Sequence, residues 1–367
     1  MTKSGVEKLA ATLVQSDARS IALPDGSAQT CVTSPPYFGL RDYGLTPSAW
    51  GGDNTCTHEW GDLIPQNSRH RYTAENSGKA SVIAAASGFP IARGSFCQRC
   101  EAWFGCLGLE PTPELYVAHI VEVFREVRRC LRDDGTLWLN LGDSFAANRT
   151  RQVASTKGGA KHGKAQGTSG SMHVPEGLKP KDLIGIPWRV AFALQADGWY
   201  LRSDIIWHKP NVMPESVRDR PTKAHEYVFL LSKSAKYFYD AVAVKEPAVS
   251  THASGNGFKR GARLSYSDDA GPRGNEKQWQ PTEKRSRRSV WSINTKPFKE
   301  AHFAVMPEAL VDVCVLAGSK SGDLVLDPFL GSGTVAKVAL VHGRRAFGCE
   351  LNPEYLKIAK ARVGGAR

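Results

Sequence analysis

The sequence has no run of about 18 or more consecutive apolar residues, the length a membrane-spanning helix needs, and its start, MTKSGVEKLA, lacks the apolar core of a secretory signal. The expectation is a soluble, cytoplasmic protein, either bacterial or made in the host cell by a phage. Eight cysteines without such a signal do not read as a disulfide framework. No Gly-Lys-Ser/Thr follows any glycine turn, which excludes a phosphate loop, and the three spaced glycines of the dinucleotide fingerprint are also missing. There is no internal repeat.

What is present is length, glycine and proline, and positive charge. At 367 residues the chain is long for one compact domain, enough for a large α/β core with insertions. The 35 glycines and 21 prolines imply many loops and tight turns. The 48 basic side chains outnumber the 36 acidic ones, giving a formal charge of +12, which points to a polyanionic partner. Basic residues crowd the stretch from Gly257 to Val290 and the glycine-rich run Thr156 to Gly167. On charge alone, either run could equally be a solvated loop.

Apolar patterning gives a coarse order of elements. A strand ending at Asp17 and a second at Thr30 to Thr33 open the chain. Thr112 to Leu131 has helical spacing behind a capping threonine, followed by a turn, RDDG, and a strand, TLWLNLG. A helix, IPWRVAFALQADG, and two strands, YLRSDIIWHKP and AHEYVFLLSKS, come next, and then a polar, basic stretch from about Ala241. The C-terminal part alternates helix and strand, with Glu350 closing the last strand, in the manner of a ligand crevice at the carboxyl ends of parallel strands. The N-terminal and C-terminal strands are expected to share one sheet.

Two segments carry chemistry. In LDPFLGSGT, Asp327 and Pro328 end a strand, and Gly331 and Gly333 allow a tight bend and a close approach to a ligand. An anion at this loop receives a phosphate poorly and suits a ligand with an ammonium group. Glu350, seventeen residues after Gly333, stands where a carboxylate would hold a ribose diol. In TSPPYFG (Thr33 to Gly39), the prolines cannot donate backbone hydrogen bonds, so the segment presents the carbonyls of Ser34 and Pro35 and the ring of Tyr37. Such groups accept hydrogen bonds from an exocyclic amine and stack on a base. The alternatives are a simple tight turn with a helix-start carboxylate, and a proline turn with Tyr37 packed in the core.

Together these segments resemble the amino-group DNA methyltransferases that use S-adenosylmethionine, in the permuted arrangement where the catalytic segment precedes the cofactor segment. Ser34, Pro35, Pro36 and Tyr37 match the Ser-Pro-Pro-Tyr signature, and Phe329, Gly331 and Gly333 match the Phe-x-Gly-x-Gly element. The likeness extends over most of residues 11–240 and 298–362. It implies a Rossmann-like α/β fold, a mostly parallel sheet flanked by helices with loop insertions. Residues 1–240 would form the catalytic half, 241–297 a basic insertion for target recognition, and 298–367 the cofactor half. By the same resemblance Ser34 and the Pro35 backbone would hold the acceptor nitrogen, with Pro36 in the same rigid turn, and Tyr37 would stack on a flipped base in double-stranded DNA. Asp17 would face the cofactor adenine, Asp327 its ammonium group and Glu350 its ribose, with Pro328, Phe329, Gly331, Gly333 and Thr334 along the cofactor.

Ser in the first signature position is commoner in cytosine-N4 enzymes and Asp in adenine-N6 enzymes, so Ser34 favours cytosine N4. Adenine N6 is the alternative. Permuted relatives are commonly dimers, which leaves a homodimer as one expectation. The sequence does not speak to a partner nuclease.

Between the catalytic segment and the long helix, Cys56 and His58 face Cys97 and Cys100 as a candidate set of four structural-zinc ligands within an insertion at 50–106. The spacing is not that of a standard finger, and reduced surface cysteines are the other reading. Cys106 is left out of the set. Arg285, Arg287 and Arg288 are candidate contacts to DNA phosphates. From other classes, a non-catalytic zinc-containing DNA-binding protein would explain the charge and cysteines but not TSPPY, DPFLGSGT or Glu350. A methyltransferase acting on RNA or on protein glutamine is a further option.

Overall fold

The computed structural model describes residues 10–62, 94–146, 177–248, 284–296 and 305–365. Strands β1 (Ala11–Val14) and β2 (Ala28–Thr33) precede a small unit of β3 (Ser48–Trp50), β4 (Ser95–Phe96) and β5 (Trp103–Gly105). Helix α1 (Pro113–Cys130) leads straight into β6 (Leu131–Leu141), and α2 (Ile186–Ala196) leads to β7 (Tyr200–His208) and β8 (His225–Ser232). A two-stranded ribbon of β9 (Glu246–Pro247) and β10 (Lys284–Arg285) precedes β11 (Val290–Ser292). The last elements are α3 (Glu308–Gly318), β12 (Leu324–Asp327), α4 (Thr334–Val341), β13 (Arg345–Cys349) and α5 (Pro353–Gly364).

Eight strands form one sheet in the order β1-β13-β12-β2-β6-β8-β7-β11, so both ends of the chain share it as expected. Neighbours pair in parallel except at β8, which runs against β6 and β7. All six residues of β2 are buried, as a central strand covered on both faces requires. The period-2 alternation of β6 sends Leu137, Leu139 and Leu141 to one face and Trp138 to the other. The first face packs against α1 and α2 through Ile120, Phe124, Val127, Val190 and Leu194. The second packs against α3, α4 and α5 through Leu310, Cys314, Val335, Ala339 and Ala359.

Helix α1 starts where the sequence places it. Thr112 Oγ1 accepts from the Leu115 N–H at 3.2 Å and Pro113 occupies the first turn, where its missing N–H costs nothing. Two boundaries differ from the sequence expectation. The first strand ends at Val14, leaving Asp17 in the turn beyond it. RDDG is not a separate turn but part of β6: Ala28 pairs with Leu131 and Thr30 with Thr136, so β6 bulges to take up the extra residues. No helix among the described residues is long and apolar enough to cross a membrane.

Candidate active site and metal cluster

The parallel strands bring their carboxyl ends to one edge of the sheet, and the two signature segments follow neighbouring strands, β2 and β12. Because β8 runs the other way, Glu226 near its amino-terminal end reaches the same edge. A cavity of about 350 Å³ opens there. Ser34, Pro35, Pro36, Tyr37, Asp17, Asp327, Pro328, Phe329, Gly331, Thr334 and Glu350 all line it. Segments almost 300 residues apart in sequence thus meet in one crevice, at the position where open α/β sheets hold ligands.

At one end the carboxylates organise the glycine turn. Glu350 Oε2 accepts from the Gly331 N–H and Oε1 from the Asn352 N–H, both at 2.8 Å, which ties the turn to the end of β13. Burial pushes its carboxyl up, against the pull of those backbone amides. Asp327 Oδ1 accepts from Thr33 Oγ1 at 2.7 Å and from the Phe329 N–H at 3.1 Å, linking the two signature segments directly. Burial raises the Asp327 carboxyl to about 7, against those two hydrogen bonds and with the nearby Glu350 charge adding to the rise. Asp17 is held by Arg19, whose Nη2 lies 2.6 Å from Oδ2 and whose Nε bonds both oxygens.

Gly331 and Gly333 both have left-handed backbones, φ +52° and +80°, but serve different ends. Gly331 faces the cavity, and a Cβ there would meet only its own turn. A Cβ on Gly333 would sit 2.9 Å from that of Ala359 on α5, so this glycine permits close helix packing and, contrary to the sequence expectation, does not line the cavity.

At the other end Tyr37 is fixed by its hydroxyl. Ser34 Oγ donates to Tyr37 Oη at 3.2 Å, and Tyr37 Oη lies 2.8 Å from Glu226 Oε2 and 3.1 Å from Asn140 Oδ1. Asn140 Nδ2 also donates to Glu226, and Lys209 Nζ forms an ion pair with the same carboxylate. Burial, then the Glu226 charge, pushes the phenol well above its ordinary value, so it stays a donor. With its proton directed at Tyr37, Ser34 Oγ is left as an acceptor. The Tyr37 ring lies against Gly142, where any Cβ would come within 2.5 Å of it. Tyr116 Oη donates to the Pro36 carbonyl at 2.8 Å and holds the proline turn from behind. Sequence reasoning missed Asn140, Lys209 and Glu226; the available signals were a buried asparagine in the otherwise apolar run Leu137 to Leu141 and polar residues at the mouth of a hairpin.

The Cys56, His58, Cys97 and Cys100 side chains converge outside this cavity. Their ligand atoms lie within 4.8 Å of one another, with Cys56 Sγ 3.9 Å from Cys97 Sγ and Cys100 Sγ 3.4 Å from His58 Nδ1. A tetrahedral zinc with spokes of about 2.3 Å to sulfur would separate its ligands by about 3.8 Å, so the residues fit that ion. Cys106 stands apart, facing the Leu45 carbonyl at 3.3 Å and lining the large cavity.

The three arginines are engaged within the chain. Arg285 and Arg288 share Glu246 at 2.9 and 2.7 Å, and Arg287 donates to the Val244 carbonyl at 3.1 Å with its guanidinium 5.5 Å from the Trp291 ring centre. They brace the ribbon of β9 and β10 rather than standing free; the Arg288 side chain nonetheless remains 65% exposed. Most of the basic stretch from Gly257, and all of Thr156 to Gly167, lies outside the described residues.

Residues 28–361 match the model of the N6/N4 DNA methylase family. The Type II methyltransferase M.SmaI of Serratia marcescens is 49% identical over 333 residues, 90% of this chain and 82% of the relative. The Type II methyltransferase M.Cfr9I of Citrobacter freundii is 41% identical over 357 residues, 97% and 88% of the two chains. Among solved structures, the cytosine-N4-specific PvuII DNA methyltransferase matches with a TM-score of 0.52 at 16% identity, covering 97% of this chain and 88% of that one. The fold is therefore the Rossmann-like fold of the S-adenosylmethionine-dependent methyltransferases, and the chain belongs to the N6/N4 DNA methylase family of amino-group methyltransferases.

Proposed function

We propose that the chain transfers a methyl group from S-adenosylmethionine to the exocyclic N4 of a cytosine rotated out of duplex DNA, in the permuted order of segments described above. The observation that carries the reading is the single cavity lined by Ser34 to Tyr37 at one end and by Asp327, Phe329, Gly331 and Glu350 at the other. The acidic groups at the second end suit a cationic ligand with a diol and no phosphate. When bound, the cofactor supplies an activated methyl group on a positively charged sulfur.

The chain's own residues orient the acceptor. Ser34 Oγ, its proton engaged by Tyr37, and the Pro35 carbonyl accept hydrogen bonds from the amine, which turns its partly delocalised lone pair toward the methyl carbon. Pro36 keeps the turn rigid. The Tyr37 ring stacks on the base. Positioning of this kind supplies much of the rate in an in-line displacement. Asp17 faces the cofactor adenine, Asp327 its ammonium and Glu350 its ribose, with Pro328, Phe329 and Thr334 along it. Ser34 at the first signature position favours cytosine, and the fold neighbour is cytosine-N4-specific by name.

Outside the cavity, Cys56, His58, Cys97 and Cys100 hold one structural zinc. Arg288 contacts a DNA phosphate while Arg285 and Arg287 keep the ribbon beneath it in place, and residues 241–297 carry target recognition. Nucleoside mass spectrometry of DNA treated with enzyme and S-adenosylmethionine tests the central reading. N4-methylcytosine is expected; N6-methyladenine alone would overturn the choice of base, and no methylated nucleoside would overturn the activity.

A further inference from the structure

The metal cluster sits on the unit whose far edge walls the cavity. Cys97 and Cys100 form the turn between β4 and β5, closed by the Cys97 N–H to Ala102 carbonyl bond at 2.8 Å. The segment carrying Cys56 and His58 is laid against it by the Gln98 N–H to Glu59 carbonyl bond at 2.8 Å and the Gly61 N–H to Phe96 carbonyl bond at 2.9 Å. Strand β5 pairs with β3, and Ser48, Trp50 and Gly105 of that pair, with Cys106 and Leu107 just after it, line the cavity. Strands of two or three residues do not hold such a unit by themselves.

Three contacts carry the unit's position into the site. Arg19, which grips Asp17, donates to the Ala49 carbonyl and to Ser48 Oγ and lies 3.8 Å over the Trp50 ring. The fully buried Glu110 accepts from the Gly108 N–H at 2.8 Å and bonds His119 Nδ1 at 3.0 Å, while the His119 ring packs between Trp50 and Trp103. The Gly39 N–H, just after the proline turn, donates to the Gly108 carbonyl at 2.8 Å.

Building on the zinc and cofactor assignments above, we infer that the metal-held unit is one wall of the cofactor pocket, and that metal occupancy sets cofactor affinity through Arg19 and Asp17. Zinc acts here at a distance: it fixes β5, β5 fixes β3, and β3 holds the arginine that aims the carboxylate.

The test measures bound zinc by elemental mass spectrometry and S-adenosylhomocysteine affinity by calorimetry on the full chain. One zinc per chain is expected, and stripping it with a chelator should weaken S-adenosylhomocysteine binding about tenfold or more. Should the stripped protein unfold, Arg19→Gln separates the steps: it should keep its zinc and still lose about tenfold in affinity. Unchanged affinity in a stripped, folded protein, or in Arg19→Gln, would overturn the coupling and leave the methyltransferase reading intact. Protein from zinc-supplemented cells that carries no metal would overturn the metal reading and this inference together. A zinc-loaded protein that does not bind S-adenosylhomocysteine would instead overturn the proposed function.

Discussion

The Tyr37 hydroxyl lies 2.8 Å from Glu226 Oε2, joining the proline turn after β2 to the start of the antiparallel strand β8. Tyr37 therefore has two separable parts, a ring proposed to stack on the base and a hydroxyl that fixes the ring and accepts the Ser34 hydrogen bond. Tyr37→Phe removes only the second. The methylation rate is expected to fall roughly 10–100-fold, the worth of a hydrogen bond to a charged group, with S-adenosylhomocysteine affinity unchanged. Single-turnover methylation and calorimetry measure the two quantities. Tyr37→Ala should be slower still, and equal rates for Phe and Ala would leave the ring without its assigned role.

Glu226 also faces Lys209, and the two side chains are only 18% and 16% exposed. Removing one charge strands the other in a poorly hydrated site. Glu226→Gln is expected to cost about 2 kcal/mol of stability, somewhat less than for a fully buried pair. Lys209→Met in addition should recover much of that loss, because no unpaired charge remains. Urea unfolding of the two single variants and the double variant gives the coupling directly. Strictly additive losses would mean that the pair is not energetically linked.

Local signals in the sequence are legible, and features made by strand pairing are not. Helix α1 is legible because a capping threonine, a first-turn proline and an apolar stripe agree. The β6 bulge is not, because Arg-Asp-Asp-Gly has the composition of a free turn and only the pairing of its flanks, Leu131 and Thr136, with β2 places it within the strand. Ser34 and Glu350 belong to short local patterns. Asn140, Lys209 and Glu226 do not, and only the antiparallel placement of β8 brings the last of these to the site. Gly331 and Gly333 look equivalent in the glycine-rich turn, and only the approach of Ala359 distinguishes them.

That distinction is measurable. Alanine at either position incurs roughly 1–2 kcal/mol for the left-handed backbone. At Gly333 it also collides with α5, so Gly333→Ala should lose more than 2 kcal/mol in urea unfolding, beyond the backbone cost alone, while the protein that does fold keeps its cofactor affinity. Gly331→Ala should lose about 1 kcal/mol of stability, with weakened S-adenosylhomocysteine binding because the new methyl enters the cavity. The opposite pattern would reverse the roles given to the two glycines.

Asp327 predicts a pH signature. Its native carboxyl keeps its proton up to about 7, whereas the ordinary value is 3.8. Between those values the native state binds more protons than the unfolded chain, so this residue's contribution to stability is full at low pH and is lost as pH rises through about 7. An ammonium group placed against the carboxylate favours the charged form, so binding should expel the proton in that same window. Affinity for S-adenosylhomocysteine is therefore expected to climb, by at most about tenfold per pH unit, up to neutrality and then to level off. Calorimetry at about pH 6 in buffers of different ionisation enthalpy should register proton release, which Asp327→Asn should abolish. Binding without proton release in the wild-type chain would place the ammonium group away from Asp327.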